Sequence, residues 1–319
     1  MSFEVVKKRI DLCKAECSRW EKSIRKHSIV YDEMKCARVY ELRPNIYSFY
    51  IRCTPNMGGK WLHLIIGDEK NLLIDTGYGV GNLKGLVDRI SGNSNKELVI
   101  VNTHCHGDHC LGNGQFKRVF IHEYDAPALY SQMTPEFFCD FNHLDSNSPE
   151  KELLTEQKII PFDTYEVIPC SNHFCFKLGA DHEVVLLHTG GHTAGSSVFL
   201  DKKNRILFSG DSILPWINGA KGPTVEYFDP KFNPEQCTLM TYNKGLNDIA
   251  KHSHCFDTIF PAHGMLGLKK DILFELLETT TSILLNPNSY DTTGIKYKME
   301  CCFKFTDSTT VYYTMNSLY

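Results

Sequence analysis

The chain has 319 residues, 42% hydrophobic and 23% charged, with 22 glycines and 13 prolines. That composition excludes a disordered, collagen-like or low-complexity protein. With 34 basic and 38 acidic side chains the formal charge is −4, so no bulk positive field draws the chain to nucleic acid or an anionic membrane. Fourteen histidines and 13 cysteines are the entries that ask for chemistry. No Cys-x-x-Cys pair occurs among the cysteines, which argues against a zinc finger or a thioredoxin-type motif. The first residues are charged from Glu4 onward, and no run reaches the ~18 apolar residues of a membrane span. The expectation is a cytoplasmic protein whose cysteines are buried thiols.

In chain order, Val6, Ile10, Cys13, Cys17, Trp20 and Ile24 recur in alternating steps of four and three, one stripe of an amphipathic helix. It is too short a repeat for a coiled coil, so the helix is expected to dock on its own chain. Short β-like runs follow at 46–53, 61–66, 71–74, 98–103 and 119–122, punctuated by glycine, asparagine and proline. A helical pattern at 80–90 bridges two of them, a β-α-β signature that points to an α/β layered fold. Strands are expected again at 184–187, 197–200, 206–208 and 258–260, before a helix over about 268–285. The chain therefore reads as two similar halves. The long connection at about 123–169 carries Met133, Phe137, Phe138, Phe141 and Phe162 and has the length of a lid or helical insertion. At the end, 296–305 and 309–315 flank Thr306-Asp307-Ser308, a hairpin that extends a sheet or makes an oligomer contact such as a homodimer.

The chemically decisive segment is 98–116, LVIVNTHCHGDHCLGNGQF. Extended backbone puts alternate side chains on one side. His104 and His106 can thus reach one metal ion while Cys105 points away. Gly107 permits a turn, after which Asp108 and His109 can open a short helix and face a second ion. Imidazole and carboxylate donors suit zinc, and catalytic zinc sites keep a position open for water.

This His-x-His-x-Asp-His string after a strand resembles the hallmark of the metallo-β-lactamase-fold hydrolase superfamily. The other motifs of that family have counterparts in order. Leu72-Leu73-Ile74-Asp75-Thr76-Gly77 resembles its first motif, in which the aspartate supports the site from behind the ligands. Thr189-Gly190-Gly191-His192-Thr193-Ala194-Gly195-Ser196 resembles the loop with the third histidine, Phe208-Ser209-Gly210-Asp211 the strand end with the bridging aspartate, and Phe260-Pro261-Ala262-His263-Gly264 the last ligand loop. The resemblance implies a four-layer αβ/βα sandwich of two similar halves. On this chain the domain would occupy about 41–290 with the insertion at 123–169, after an N-terminal helix and linker at 1–40 and before a C-terminal hairpin at 291–319. It also implies two divalent metal ions, zinc with manganese or iron as alternatives. His104, His106 and His192 would hold one; Asp108, His109 and His263 would hold the other; Asp211 would bridge them.

The implied reaction is hydrolysis by a bridging hydroxide, with Asp108 and Asp211 as the catalytic carboxylates and no thiol nucleophile. Asp211 resembles the glyoxalase II, lactonase and acyl-CoA thioesterase branches, whereas zinc-type antibiotic hydrolases commonly carry cysteine or serine there. A small-molecule thioester or ester is the leading substrate class, with Phe137, Phe138 and Phe141 as candidate acyl-pocket residues. His122, which follows a strand near the site, is a candidate substrate contact or else an exposed strand-end histidine, and Lys221, Tyr227 and Lys231 are candidates for the cleft rim. Two alternatives differ in class: a one-iron persulfide dioxygenase and a metal-dependent nuclease. The net charge offers no phosphate-tracking surface for the latter.

Overall fold

In the computed structural model the described residues are 3–52, 59–92, 95–137, 162–220, 232–296 and 298–319. Cys53, Phe138, Cys139, Phe141, Lys221, Tyr227 and Lys231 lie outside them, as does the middle of the 123–169 connection. The chain forms two compact units. The N-terminal unit is Ser23–Cys170 with Phe176–Glu183; the C-terminal unit is Val184–Tyr319 with Ser171–Cys175 and Met1–Lys22.

The first helix, α1 (Phe3–Ile24), bears out the predicted stripe: Val6 and Cys17 are buried, and Ile10, Cys13, Trp20 and Ile24 are half-buried. It packs within the C-terminal unit, where Val6 joins Cys301, Phe303 and Tyr312 in one apolar cluster. Arg9 reaches the carbonyl oxygens of Thr306, Asp307 and Thr309. The helix is thus docked on its own chain, as its short repeat predicts.

The N-terminal unit holds a seven-stranded sheet in sequential order: β1 (Ala37–Arg43), β2 (Ile46–Ile51), β3 (Lys60–Ile66), β4 (Lys70–Ile74), β5 (Glu97–Val101), β6 (Arg118–His122) and β7 (Glu166–Cys170). β1 to β4 pair antiparallel and β4 to β7 parallel. A parallel pair needs a crossover, and α2 (Leu83–Ile90) supplies it between β4 and β5. Asn82 caps that helix by accepting from Gly85 N at 2.8 Å. Leu83, Leu86 and Val87 are buried in the cluster that includes Leu62, Leu64, Leu73 and Ile100. Two short helices, α3 (Gly107–Cys110) and α4 (Ala126–Gln132), flank β6.

The chain passes through β8 (Cys175–Gly179) into the C-terminal unit. There β9 (His182–His188), β10 (Ser197–Asp201), β11 (Ile206–Gly210), β13 (Thr258–Pro261) and β14 (Leu268–Lys269) share a sheet in the order β14-β13-β11-β10-β9. β11 and β13 run parallel, with α5 (Leu239–Lys251) in the connection between them. Leu239, Tyr242, Leu246 and Ile249 of α5 are buried against Leu187, Leu200 and Ile259. Burying each of these leucines contributes roughly 1.5–3 kcal/mol. The helix expected over 268–285 begins only at Asp271, as α6 (Asp271–Leu285). Gly267 in the left-handed region (φ 82) turns the chain, and Leu268 and Lys269 pair with β13 instead.

The C-terminal hairpin is present but is part of a larger sheet. β16 (Met299–Phe305) and β17 (Thr310–Tyr313) pair antiparallel around the 306–308 turn, β15 (Thr292–Lys296) adds to β16, and β12 (Asn218–Gly219) adds to β17 in parallel. Among the described residues no helix is long and apolar enough to cross a membrane.

Candidate metal centre

In the N-terminal unit the site grows out of the carboxyl ends of β4 and β5. The parallel register sets Ile74 beside Val101, so Asp75 and Thr103 leave the sheet side by side. Thr103 N donates to Asp75 Oδ1 at 2.8 Å, and Thr103 Oγ1 lies 2.9 Å from Asp75 Oδ2. The same Oδ2 stands 2.7 Å from His109 Nδ1. Asp75 therefore ties both ends of the histidine loop to the sheet, and it fixes the His109 tautomer in which Nε2 carries the lone pair that can donate to a cation. A second buried set holds the loop from below. Thr76 N donates to His109 O at 2.8 Å, Asn113 Nδ2 donates to Asn102 Oδ1 at 2.8 Å, and Cys105 N donates to Asp125 Oδ2 at 2.9 Å.

The alternation predicted for the strand end is present. His104 Nε2 and His106 Nδ1 are 2.9 Å apart, whereas Cys105 lies in an apolar cluster with Cys110, Ile121 and Leu129. Asp108 and His109 sit in α3, one short helical turn that Gly107 opens, with Asp108 Oδ2 at 3.4 Å from His109 Nε2. All four ligand candidates are buried. Lys60, at the start of β3, is fully buried and its Nζ lies 3.3 Å from Asp108 Oδ2. The sequence reading missed it. The signal was there in the strand 60–66, KWLHLII, where a lysine opens an otherwise largely apolar run.

The C-terminal unit carries the other three candidates. β11 and β13 pair in parallel through Phe208↔Phe260 and Gly210↔Pro261, so Asp211 and His263 leave adjacent strands at their carboxyl ends, the usual place for sites in such sheets. His192 comes from the loop between β9 and β10, closed by Thr189 N and Gly190 N donating to Ser196 O at 2.8 and 3.0 Å. Gly191 there has φ 75, and a Cβ on it would stand 2.7 Å from Tyr242 Cβ, so no other residue fits without displacement. Asp211 faces both histidines. Its Oδ2 is 3.5 Å from His192 Nε2 and its Oδ1 is 3.5 Å from His263 Nε2.

Donors at ~2.0–2.2 Å from one tetrahedral ion stand about 3.3–3.5 Å from each other. The 3.4 Å between Asp108 and His109 and the two 3.5 Å separations around Asp211 match that spacing. They are longer than good hydrogen bonds. The donor set, imidazole nitrogen with carboxylate oxygen, therefore fits divalent metal ions.

A thiol nucleophile is disfavoured by the surroundings. Burial pushes the Cys110 thiol well above its usual range, and the Asp108 and Asp75 carboxylates add to that. Cys170 is pushed up to about 12 by burial and Glu123. Of the eleven described cysteines, eight are buried and three half-buried, all as free thiols. His122 is buried, with its Nδ1 accepting from Tyr124 N at 3.3 Å, so it is not an exposed strand-end histidine. Phe137 lines a mainly apolar cavity with Cys110, Leu111, Leu129 and Met133.

The metallo-beta-lactamase superfamily model matches residues 58–236, more than half of the chain, and the chain belongs to that superfamily. Among curated proteins it is 30% identical over 184 residues to acyl-coenzyme A thioesterase MBLAC2 of Bos taurus, a match covering 51% of this chain and 62% of that protein. It is 25% identical over 196 residues to atrochrysone carboxyl ACP thioesterase nsrC of Aspergillus novofumigatus, covering 61% of this chain and 46% of that protein. The chain thus spans less than two thirds of the length of these curated relatives. A solved metallo-beta-lactamase from Pontibacter korlensis shares the fold, with a TM-score of 0.51 at 19% identity over 77% of this chain and 99% of that one.

Proposed function

We propose that this chain is a metal-dependent hydrolase of small acyl thioesters. The observation that carries the reading is Asp211, whose two carboxylate oxygens face two different histidines, His192 and His263. In this reading His104, His106 and His192 hold one divalent ion, Asp108, His109 and His263 hold a second, and Asp211 is shared between them. Zinc is the metal this donor set suits best.

When bound, such ions supply a water acidified to near-neutral pKa and polarise the carbonyl under attack. The chain's own residues do the rest. Asp211 fixes the separation of the two ligand sets. Asp108 orients the attacking water and accepts its proton, which it passes to the departing thiolate. Asp75 keeps His109 Nδ1 protonated and thereby keeps its Nε2 available.

The thioester is supported by the two curated relatives, both named as thioesterases. A cytoplasmic setting belongs to the same proposal and is supported by the buried free thiols.

The test is a panel of acyl-CoA, glutathione thioester, lactone, β-lactam and phosphodiester substrates with zinc-, manganese- and iron-loaded protein. Acyl-CoA turnover that chelation removes, zinc restores and Asp211→Ala abolishes is the expected result. Turnover that survives Asp211→Ala overturns the assigned site. One iron per chain with oxygen uptake on a persulfide would make the protein an oxidoreductase instead.

A further inference from the structure

Lys60 opens β3, a strand otherwise made of Trp61, Leu62, His63, Leu64, Ile65 and Ile66. Its side chain has no solvent exposure, and its ammonium lies 3.3 Å from Asp108 Oδ2. Burying an ammonium is costly unless an anion accompanies it, so the pairing is an obligatory feature of the folded N-terminal unit. The oxygen involved is the informative detail. Asp108 Oδ2 is also the oxygen that stands 3.4 Å from His109 Nε2, on the side where these two residues would share an ion. One carboxylate oxygen is thus claimed by a fixed positive charge and by a prospective cation.

We propose that Lys60 is a positioning residue that sets the order of metal loading, by partly neutralising Asp108 and making the ion held by Asp108, His109 and His263 bind more weakly than the ion held by His104, His106 and His192. The proposal rests on the two-ion reading above. Lys60 touches no reacting atom; it acts through Asp108. Because two like charges within a few ångströms repel strongly in a buried setting, neutralising Lys60 strengthens the second binding step and leaves the first nearly unchanged. A lysine serving only as a hydrogen-bond donor to aim Asp108 would behave in the opposite way, since its removal would loosen the ligand and weaken that step.

The test is calorimetric titration of the metal-stripped full chain with Zn²⁺, repeated with Co²⁺ so that the visible spectrum reports each step. The wild type should take two ions in steps at least about tenfold apart in dissociation constant. Lys60→Met and Lys60→Gln should each tighten the second step at least about tenfold and keep the first within about threefold. Lys60→Arg should retain the wild-type separation. A second step weakened or unmoved in Lys60→Met and Lys60→Gln overturns the proposal. If neither neutral variant folds, the wild-type titration decides, and two steps of equal strength overturn it. Absence of cation binding in every variant overturns the two-ion reading as well, which distinguishes that failure from failure of the role of Lys60 alone.

Discussion

Asp75 Oδ2 stands 2.7 Å from His109 Nδ1, with both side chains buried. The aspartate is itself in the left-handed region (φ 63), a conformation that aspartate tolerates better than most residues. The carboxylate holds the imidazole in one tautomer, and outer groups of this kind are worth about 10–100-fold in metal affinity. Asp75→Asn should therefore weaken zinc binding by about 10–100-fold, measured by competition with a chromophoric chelator. Binding unchanged in a folded Asp75→Asn protein would reduce Asp75 to a turn-forming residue.

The sequence shows this half of the site clearly because its information is local. His104, His106, Asp108 and His109 fall within six positions, and strand alternation followed by a turn is enough to place them. His192, Asp211 and His263 are single residues in loops, and only their family motifs made them legible. Lys60 was not legible, because its role depends on β3 lying two strands from β5, a relation that sequence spacing does not encode. In the fold, Leu239, Tyr242, Leu246 and Ile249 of α5 follow helical spacing, but the sequence predicts only the short β-like runs on either side. β15 was missed because Thr292-Thr293-Gly294 reads as a turn until β16 is there to pair with it.

Cys110 follows His109, the last ligand candidate of the histidine loop, and its reactivity is predictable from its surroundings. It is buried, its thiol is pushed up by burial and by Asp108 and Asp75, and its Sγ lies 3.2 Å from Cys105 O. A thiol of this kind is not deprotonated at neutral pH. Cys110→Ala should keep turnover within about threefold while costing about 1 kcal/mol of stability for the lost packing. Steady-state kinetics and denaturant unfolding read the two quantities separately, and loss of turnover without loss of stability would restore a catalytic thiol.

Glu275 of α6 gives the C-terminal unit an acid-sensitive contact far in sequence from any ligand. Its Oε2 accepts from Ser308 N at 2.9 Å and its Oε1 from Ser308 Oγ at 2.6 Å, pinning the turn between β16 and β17. Burial alone would raise its pKa, but the bonds from Ser308, with help from Arg9, outweigh that and hold the carboxyl below its usual 4.5. A carboxyl depressed by folding stabilises the native state above the unfolded-state pKa and loses that contribution as pH falls through the folded value. Glu275→Gln should accordingly melt below the wild type at pH 7, and the gap should close as pH drops through and below 4.5. The group is half-buried and still reached by solvent, so the effect should also shrink in high salt. Thermal melts of both proteins across this range decide the matter: a gap that stays constant from neutral to acid pH would mean that Glu275 acts through its neutral hydrogen bonds and not through its charge.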